Sequence, residues 1–162
     1  MMVPVAIYTV SVYLIDVVAR PRLVAQQARA AADARGKPML NIGAGTPNSS
    51  LSSMLFGPML VGDVNMDVAS NEAVCTIENV CYGDIETIPF DDKQFGSCFA
   101  SHVLEHTDNP DLALQEMNRV ADEVFVVVPP WYCPHTWLHP GHKWFISQDL
   151  TRKRKLWNVK NA

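Results

Sequence analysis

Five short runs punctuate the chain at intervals that leave room for a helix between most neighbours: Met39–Ile42, Met59–Asp63, Val80–Gly83, Ser97–Ala100 and Val124–Val128. Val124–Val128 is apolar at every position, the pattern of a strand buried on both faces of a parallel sheet. Between these runs lie segments with helical character. Leu23–Arg35 is rich in Ala, Gln and Arg, and Gly36 and Pro38 follow it in the order that ends helices. Asp111–Val120 carries Leu112, Leu114 or Gln115, Met117 and Val120 as a helical apolar face. Strands alternating with helix-length connections predict an α/β, Rossmann-like, doubly wound and mostly parallel sheet of about five strands. With 162 residues, 48% of them hydrophobic, one such domain can bury a proper core.

The two ends read differently. Between Met1 and Ala19 the only charged side chain is Asp16, and Arg20 and Arg22 follow at once. A helix of about 18 residues rises roughly 27 Å, enough for a thin bilayer. Residues 1–20 are therefore expected to be a single-pass membrane anchor, with the domain of residues 21–150 on the cytoplasmic side. The alternation of Val3, Val5 and Ile7 equally suits a protein-packed hydrophobic arm, which leaves a cytoplasmic protein as the alternative. Residues 151–162, with the basic run Arg152–Lys155, read as a solvated tail, with contact to anionic lipid headgroups or a partner as the alternative. The net charge of −4 argues against nucleic-acid binding. Cys75, Cys81, Cys98 and Cys133 show no short paired spacing, so reduced thiols are expected.

The chemistry-bearing positions fall at strand ends. Gly43-Ala44-Gly45 follows the first run, and Thr46-Pro47 reads as a helix N-cap with proline at the first helical position. Asp63 closes the second run, 20 residues after Gly43, with Asp67 as a nearby competitor. An acid at such a strand end can accept both ribose hydroxyls of an adenine cofactor. Asp84 closes the third run, and Ser101-His102 stands at the carboxyl end of the fourth, where open α/β sheets bind ligands.

The order Gly-x-Gly, Asp63, Asp84-x-x-x-Ile-Pro-Phe and Leu104-Glu105-His106 resembles class I S-adenosylmethionine (SAM)-dependent methyltransferases of the small-molecule and lipid type, over about Pro38 to Pro130. The resemblance implies SAM as cofactor, with Asn41, Gly43 and Gly45 along its methionine part and Asp63 on the ribose. Asp84 and Ile85 would lie at the adenine, and His102 would touch the cofactor. Asn41 stands where an acid is usual and Pro47 where a third glycine is frequent. Methyl transfer needs alignment and dryness more than a base, so no catalytic residue is assigned; His102, Glu105 and His106 are the candidates. The Pro129-Pro130-Trp131-Tyr132 run resembles the Pro-Pro-aromatic motif of amino-group methyltransferases, which follows the fourth strand rather than the fifth.

Cys133, His135, His139 and His142 cluster in the sequence, but C-x-H-x3-H-x2-H matches no finger spacing and two prolines interrupt it, so no metal is assigned. Past Pro130 no hairpin is legible, and the fold is expected to stop after the fifth strand with an exposed edge. A homo-oligomer, a membrane surface or a larger assembly would cover that edge. Two functions stand: a SAM-dependent methyltransferase acting on a small-molecule or lipid-like acceptor, and a catalytically inactive methyltransferase-like structural subunit of a membrane-associated or multi-subunit assembly.

Overall fold

The structure, a computed structural model, describes residues 15, 19–45, 59–70, 72, 80–150 and 153–155. The elements run α1 (Arg20–Arg35), β1 (Met39–Ile42), β2 (Val64–Asp67), β3 (Val80–Tyr82), β4 (Phe95–Ser101), a 3₁₀ turn at Leu104–His106, α2 (Pro110–Val120), β5 (Ala121–Val127), the short helix α3 (Pro134–Leu138), β6 (Trp144–Ile146) and β7 (Lys153–Lys155). β1 to β5 form one sheet in the order β3-β2-β1-β4-β5, every pair parallel. This is the doubly wound α/β sheet expected from the strand and helix alternation. The chain runs outward from β1 to β2 and β3, then returns to β4 on β1's other side. The switch point therefore lies between the carboxyl ends of β1 and β4.

Opposite faces of the sheet bury different helices. Ala25, Ala28 and Ala32 of α1 pack on Met39, Phe99 and Val127. Their small side chains allow a close approach, and the Ser97 hydroxyl donates to the Ala28 carbonyl at 2.7 Å. On the other face Ala113, Met117 and Val120 of α2 cover Leu40, Ile42, Cys98 and Ala100. Met117 is fully buried, so truncating it to Ala would cost about 2–5 kcal/mol. Helix α2 starts where Asn109 accepts the Leu112 amide with Pro110 in the first turn.

Several expectations need correction. Helix α1 begins at Arg20 rather than Leu23, because Pro21 sits in the first turn, where no amide is required. The second strand is Val64–Asp67, not Met59–Asp63. Met59–Val61 instead precedes a turn held by Asn65, which accepts from the Gly62 amide and donates to the Gly62 carbonyl. Strand β5 is an edge strand, and Val124, Phe125 and Val126 are only partly buried. After β5 an antiparallel pair does form: β6 aligns Ile146 with Lys153 and Trp144 with Lys155. Part of the expected tail is thus paired, and Lys153 reaches Asp111 at 2.6 Å. Cys98 and Cys133 are free, whereas Cys81 is disulfide-bonded. Cys81 is buried on β3, in the same apolar cluster as Cys98.

The anchor expected at residues 1–20 and the cap at Thr46-Pro47 lie almost wholly outside the described residues. Among the described residues, no helix is long and apolar enough to cross a membrane.

Candidate active site

The carboxyl ends of the strands bring Gly43, Asp67, Asp84 and His102 to one edge of the sheet. The Gly43 amide donates to the Met66 carbonyl at 2.8 Å, extending the β1–β2 pairing into the loop. Both Gly43 and Gly45 have positive φ, 71° and 74°, a conformation that side chains resist. Gly43 is constrained twice: a Cβ there would lie 2.2 Å from Cγ2 of Val103. The loop passes tight beneath the residue that follows His102, at the switch point itself.

Asp67 fastens this loop. Its Oδ2 accepts the Gly45 amide at 2.8 Å and its Oδ1 accepts the Ala69 amide at 2.8 Å. Its carbonyl also accepts the Gly83 amide at 3.3 Å, joining the ends of β2 and β3. Asp84 follows, accepting the Glu86 amide on Oδ1 at 2.9 Å, with Ile85 buried beside it.

Asp63 is elsewhere. It precedes β2, where Oδ2 accepts the Met39 amide at 2.8 Å and an Arg29 guanidinium N–H at 2.5 Å. That is the amino end of β1, away from the glycine loop, so the ribose role expected of Asp63 does not fit its position. Burial acts to raise its pKa, but the Met39 amide and Arg29 outweigh it and hold the carboxyl below its ordinary value. Asn41 is also committed to structure. Buried in β1, its amide donates to Asn65 Oδ1 at 2.9 Å and to the Met59 carbonyl.

His102 is held with φ at +56°, an uncommon and costly conformation for a residue with a Cβ. Its amide donates to the Val127 carbonyl at 2.8 Å, so strand pairing continues through the strained residue. Its ring sits against Glu105, with Nδ1 3.4 Å from Oε1. Glu105 is completely buried, and neither carboxylate oxygen has a hydrogen-bond partner among the described residues. Burial works to raise its pKa; the His102 ring alongside more than offsets this, and the carboxyl lies below its ordinary range.

His106 is turned from this group toward the segment after α3. Its Nδ1 pairs with the Gly141 carbonyl at 2.9 Å, and its ring meets those of His139 and His142. Burial drives the His142 pKa down to about 4, so that ring is neutral at neutral pH. The three catalytic candidates thus divide: His102 faces the carboxyl end of β4, Glu105 lies beneath it, and His106 belongs to a histidine cluster. Sequence spacing does not reveal Val103 as the neighbour of Gly43, nor Arg29 as the partner of Asp63.

A doubly wound parallel sheet with a glycine loop at its switch point and an acid at the end of β2 defines a nucleotide-type cofactor fold. The methyltransferase domain family model matches residues 40–123, just over half of the chain, and the chain belongs to that family. Among solved structures it is similar to a SAM-dependent methyltransferase from Thermotoga maritima, described as a possible histamine N-methyltransferase. The identity is 20% and the TM-score 0.37, over 68% of this chain and 56% of that one. This chain therefore spans little more than half the length of that relative. No curated protein matches the chain.

SAM is the cofactor that a methyltransferase domain of this class implies. The donor set fits it. Asp67 and Asp84 offer carboxylate acceptors at the ends of neighbouring strands, suited to hydroxyl and amino donors, and Ile85 adds an apolar surface.

Proposed function

We propose that this chain is a SAM-dependent methyltransferase acting on a small-molecule acceptor. The observation that carries the reading is the Gly43–Gly45 loop, latched by Asp67 at the switch point of the sheet. In this reading Asp67, rather than Asp63, receives the ribose hydroxyls through lone pairs that the Gly45 and Ala69 amides leave available. Asp84 receives the adenine amino group, with Ile85 against the ring.

SAM supplies an electrophilic methyl group on a sulfonium. The protein's task is then to orient an acceptor toward it and to keep water out. His102 is the polar side chain presented at the end of β4, where the acceptor would approach. Exposed Trp131 and Tyr132 follow β5 and offer π-bearing surface. Trp131 also borders an open cleft of about 330 Å³ lined by Phe145, Ile146, Ser147, Gln148 and Asp149.

One observation favours a second reading, a methyltransferase-like subunit without catalysis: Asn41 is spent on Met59 and Asn65 and offers the loop no acid. Calorimetric titration with SAM and S-adenosylhomocysteine separates the two. Saturable binding of both supports the enzyme. A folded sample that gives no heat at millimolar ligand overturns it.

A further inference from the structure

We propose that His106, His139 and His142 form a binding site for one divalent transition-metal ion of the zinc class, with Glu105 as the buried carboxylate that balances its charge. The three histidines come from two distant parts of the chain. His106 ends the 3₁₀ turn after β4, and His139 and His142 lie on the turn that follows α3. One nitrogen from each lies within 4.8 Å of the others. Donors around a tetrahedral zinc stand about 3.3 Å apart, so ring movements of roughly 1 Å would close the shell. The ring centres are already 4.6 to 5.4 Å apart, with His139 and His142 the nearest pair.

The surrounding hydrogen bonds suit ligation. A carbonyl can only accept, so His142 Nδ1–H donates to the Thr136 carbonyl at 3.0 Å and His106 Nδ1–H to the Gly141 carbonyl at 2.9 Å. In the neutral rings this puts the lone pair on Nε2, and backbone carbonyls behind the other nitrogen are the usual outer support of metal-bound histidine. His139 Nδ1 accepts the Gly141 amide at 3.1 Å, a long bond that ligation would exchange for the metal. Gly141 is what lets the turn enter: a Cβ there would stand 3.1 Å from His139 Cε1 and 3.2 Å from His106 Nδ1.

A second observation is independent of the histidines. Glu105 is fully buried with both oxygens lacking hydrogen-bond partners among the described residues, and Oε1 lies 3.9 Å from Nε2 of His142. A buried carboxylate is costly unless positive charge comes near it; the His102 ring, 3.4 Å from Oε1, supplies one such neighbour, and an ion held by His142 would add a second on the side of the cluster. Its backbone also joins the two segments, since the Lys143 amide donates to the Glu105 carbonyl at 2.7 Å. The ion would clasp the segment after β5 to the connection after β4. Imidazole donors favour zinc, copper or nickel over calcium or magnesium.

The test uses the full chain, dialysed against chelator and titrated with Co²⁺ as a spectroscopic stand-in for zinc. The expected result is saturation at one equivalent, with the intense visible bands of a tetrahedral ion, and displacement by Zn²⁺. The absence of a saturable spectrum overturns the proposal. His106→Asn and His139→Ala should each abolish the spectrum while Cys133→Ser preserves it; the opposite pattern also overturns it. Should either histidine variant misfold, imidazole resonances of the wild type serve instead. On Zn²⁺ addition, shifts must reach all three rings, and a response confined elsewhere counts against the site. Glu105→Gln should weaken Co²⁺ by about 10- to 100-fold, and unchanged affinity removes Glu105 from the site. None of these readouts uses SAM, so the metal site and the enzyme reading fail separately.

Discussion

Asp67 reaches back across 22 residues of sequence to hold Gly45, its Oδ2 accepting the glycine amide at 2.8 Å. One carboxylate thus sets the shape of the loop and stands at the end of β2, while Asp63 faces Arg29 at the other end of the sheet. The two acids are four positions apart, yet their substitutions should have opposite signatures. Asp67→Ala is expected to weaken S-adenosylhomocysteine by at least about tenfold, the loss of one charge-assisted interaction. Asp63→Ala should leave that affinity nearly unchanged and reduce stability by about 1 kcal/mol, a partly exposed pair being screened. Calorimetry on both variants checks this. Loss of binding in Asp63→Ala alone would return the ribose role to Asp63.

Depressed carboxyls shape the acid limb of stability, Asp63 and Glu116 among them. Asp63 lies below its ordinary value because the Met39 amide and Arg29 overcome the effect of burial. Glu116 lies below its own because the Arg119 hydrogen bond, helped by the Ile88 amide, outweighs burial. A depressed carboxyl contributes stability that is complete above the unfolded-state value, about pH 4 for these groups, and is lost as pH falls through the lower folded value. Urea unfolding from neutral to about pH 3 should therefore show a decline that Asp63→Asn makes shallower, from a lower neutral plateau. Identical acid slopes for the two proteins would refute the assignment.

How much of this was legible in the sequence depended on the range of the interactions. Strand β1 and helix α2 were readable because apolar periodicity and end signals are local, and Asp84 with its Ile-Pro-Phe gave the register of the middle of the domain. Met59–Val61 imitates a strand in the sequence because it is as apolar as one, which displaces β2 from its true place at Val64–Asp67. What removes Met59–Val61 from the sheet is the Asn41, Asn65 and Gly62 network, in which partners 24 residues apart must first meet. The histidine cluster was obscured in the same way: no spacing rule within residues 133–142 can supply His106, which arrives from the end of β4. His102 was legible as a strand-end residue, but its positive φ was not, since the sequence there contains no glycine to announce it.

The crowding at the switch point can be measured. Gly43→Ala should cost about 1–3 kcal/mol for the overlap with Val103, besides about 1–2 kcal/mol for a side chain at φ of 71°. Val103→Ala removes the overlap and leaves the backbone strain. In the double variant the loss should accordingly be smaller than the sum of the two single losses by about 1 kcal/mol or more, read from chemical denaturation as a coupling energy. Strict additivity would mean that the loop moves away from Val103 freely and that the approach is not a constraint.

The strain at His102 sets two effects against each other. Glycine at φ of 56° would relieve about 1–2 kcal/mol, less about 0.5–1 kcal/mol for the flexibility it adds to the unfolded chain. His102→Gly also takes from Glu105 the ring that lies 3.4 Å from Oε1, leaving a buried carboxylate further exposed to its desolvation cost, about 1–3 kcal/mol. The second effect is the larger, so His102→Gly alone should destabilise. In a Glu105→Met background there is no carboxylate left to support, and the same substitution should stabilise slightly. Equilibrium denaturation of the four proteins tests for this reversal of sign. Equal destabilisation in both backgrounds would show that His102 and Glu105 are not coupled. A reversal would mean that the strained backbone is maintained for the placement of this ring, at the end of the sheet where an acceptor would approach.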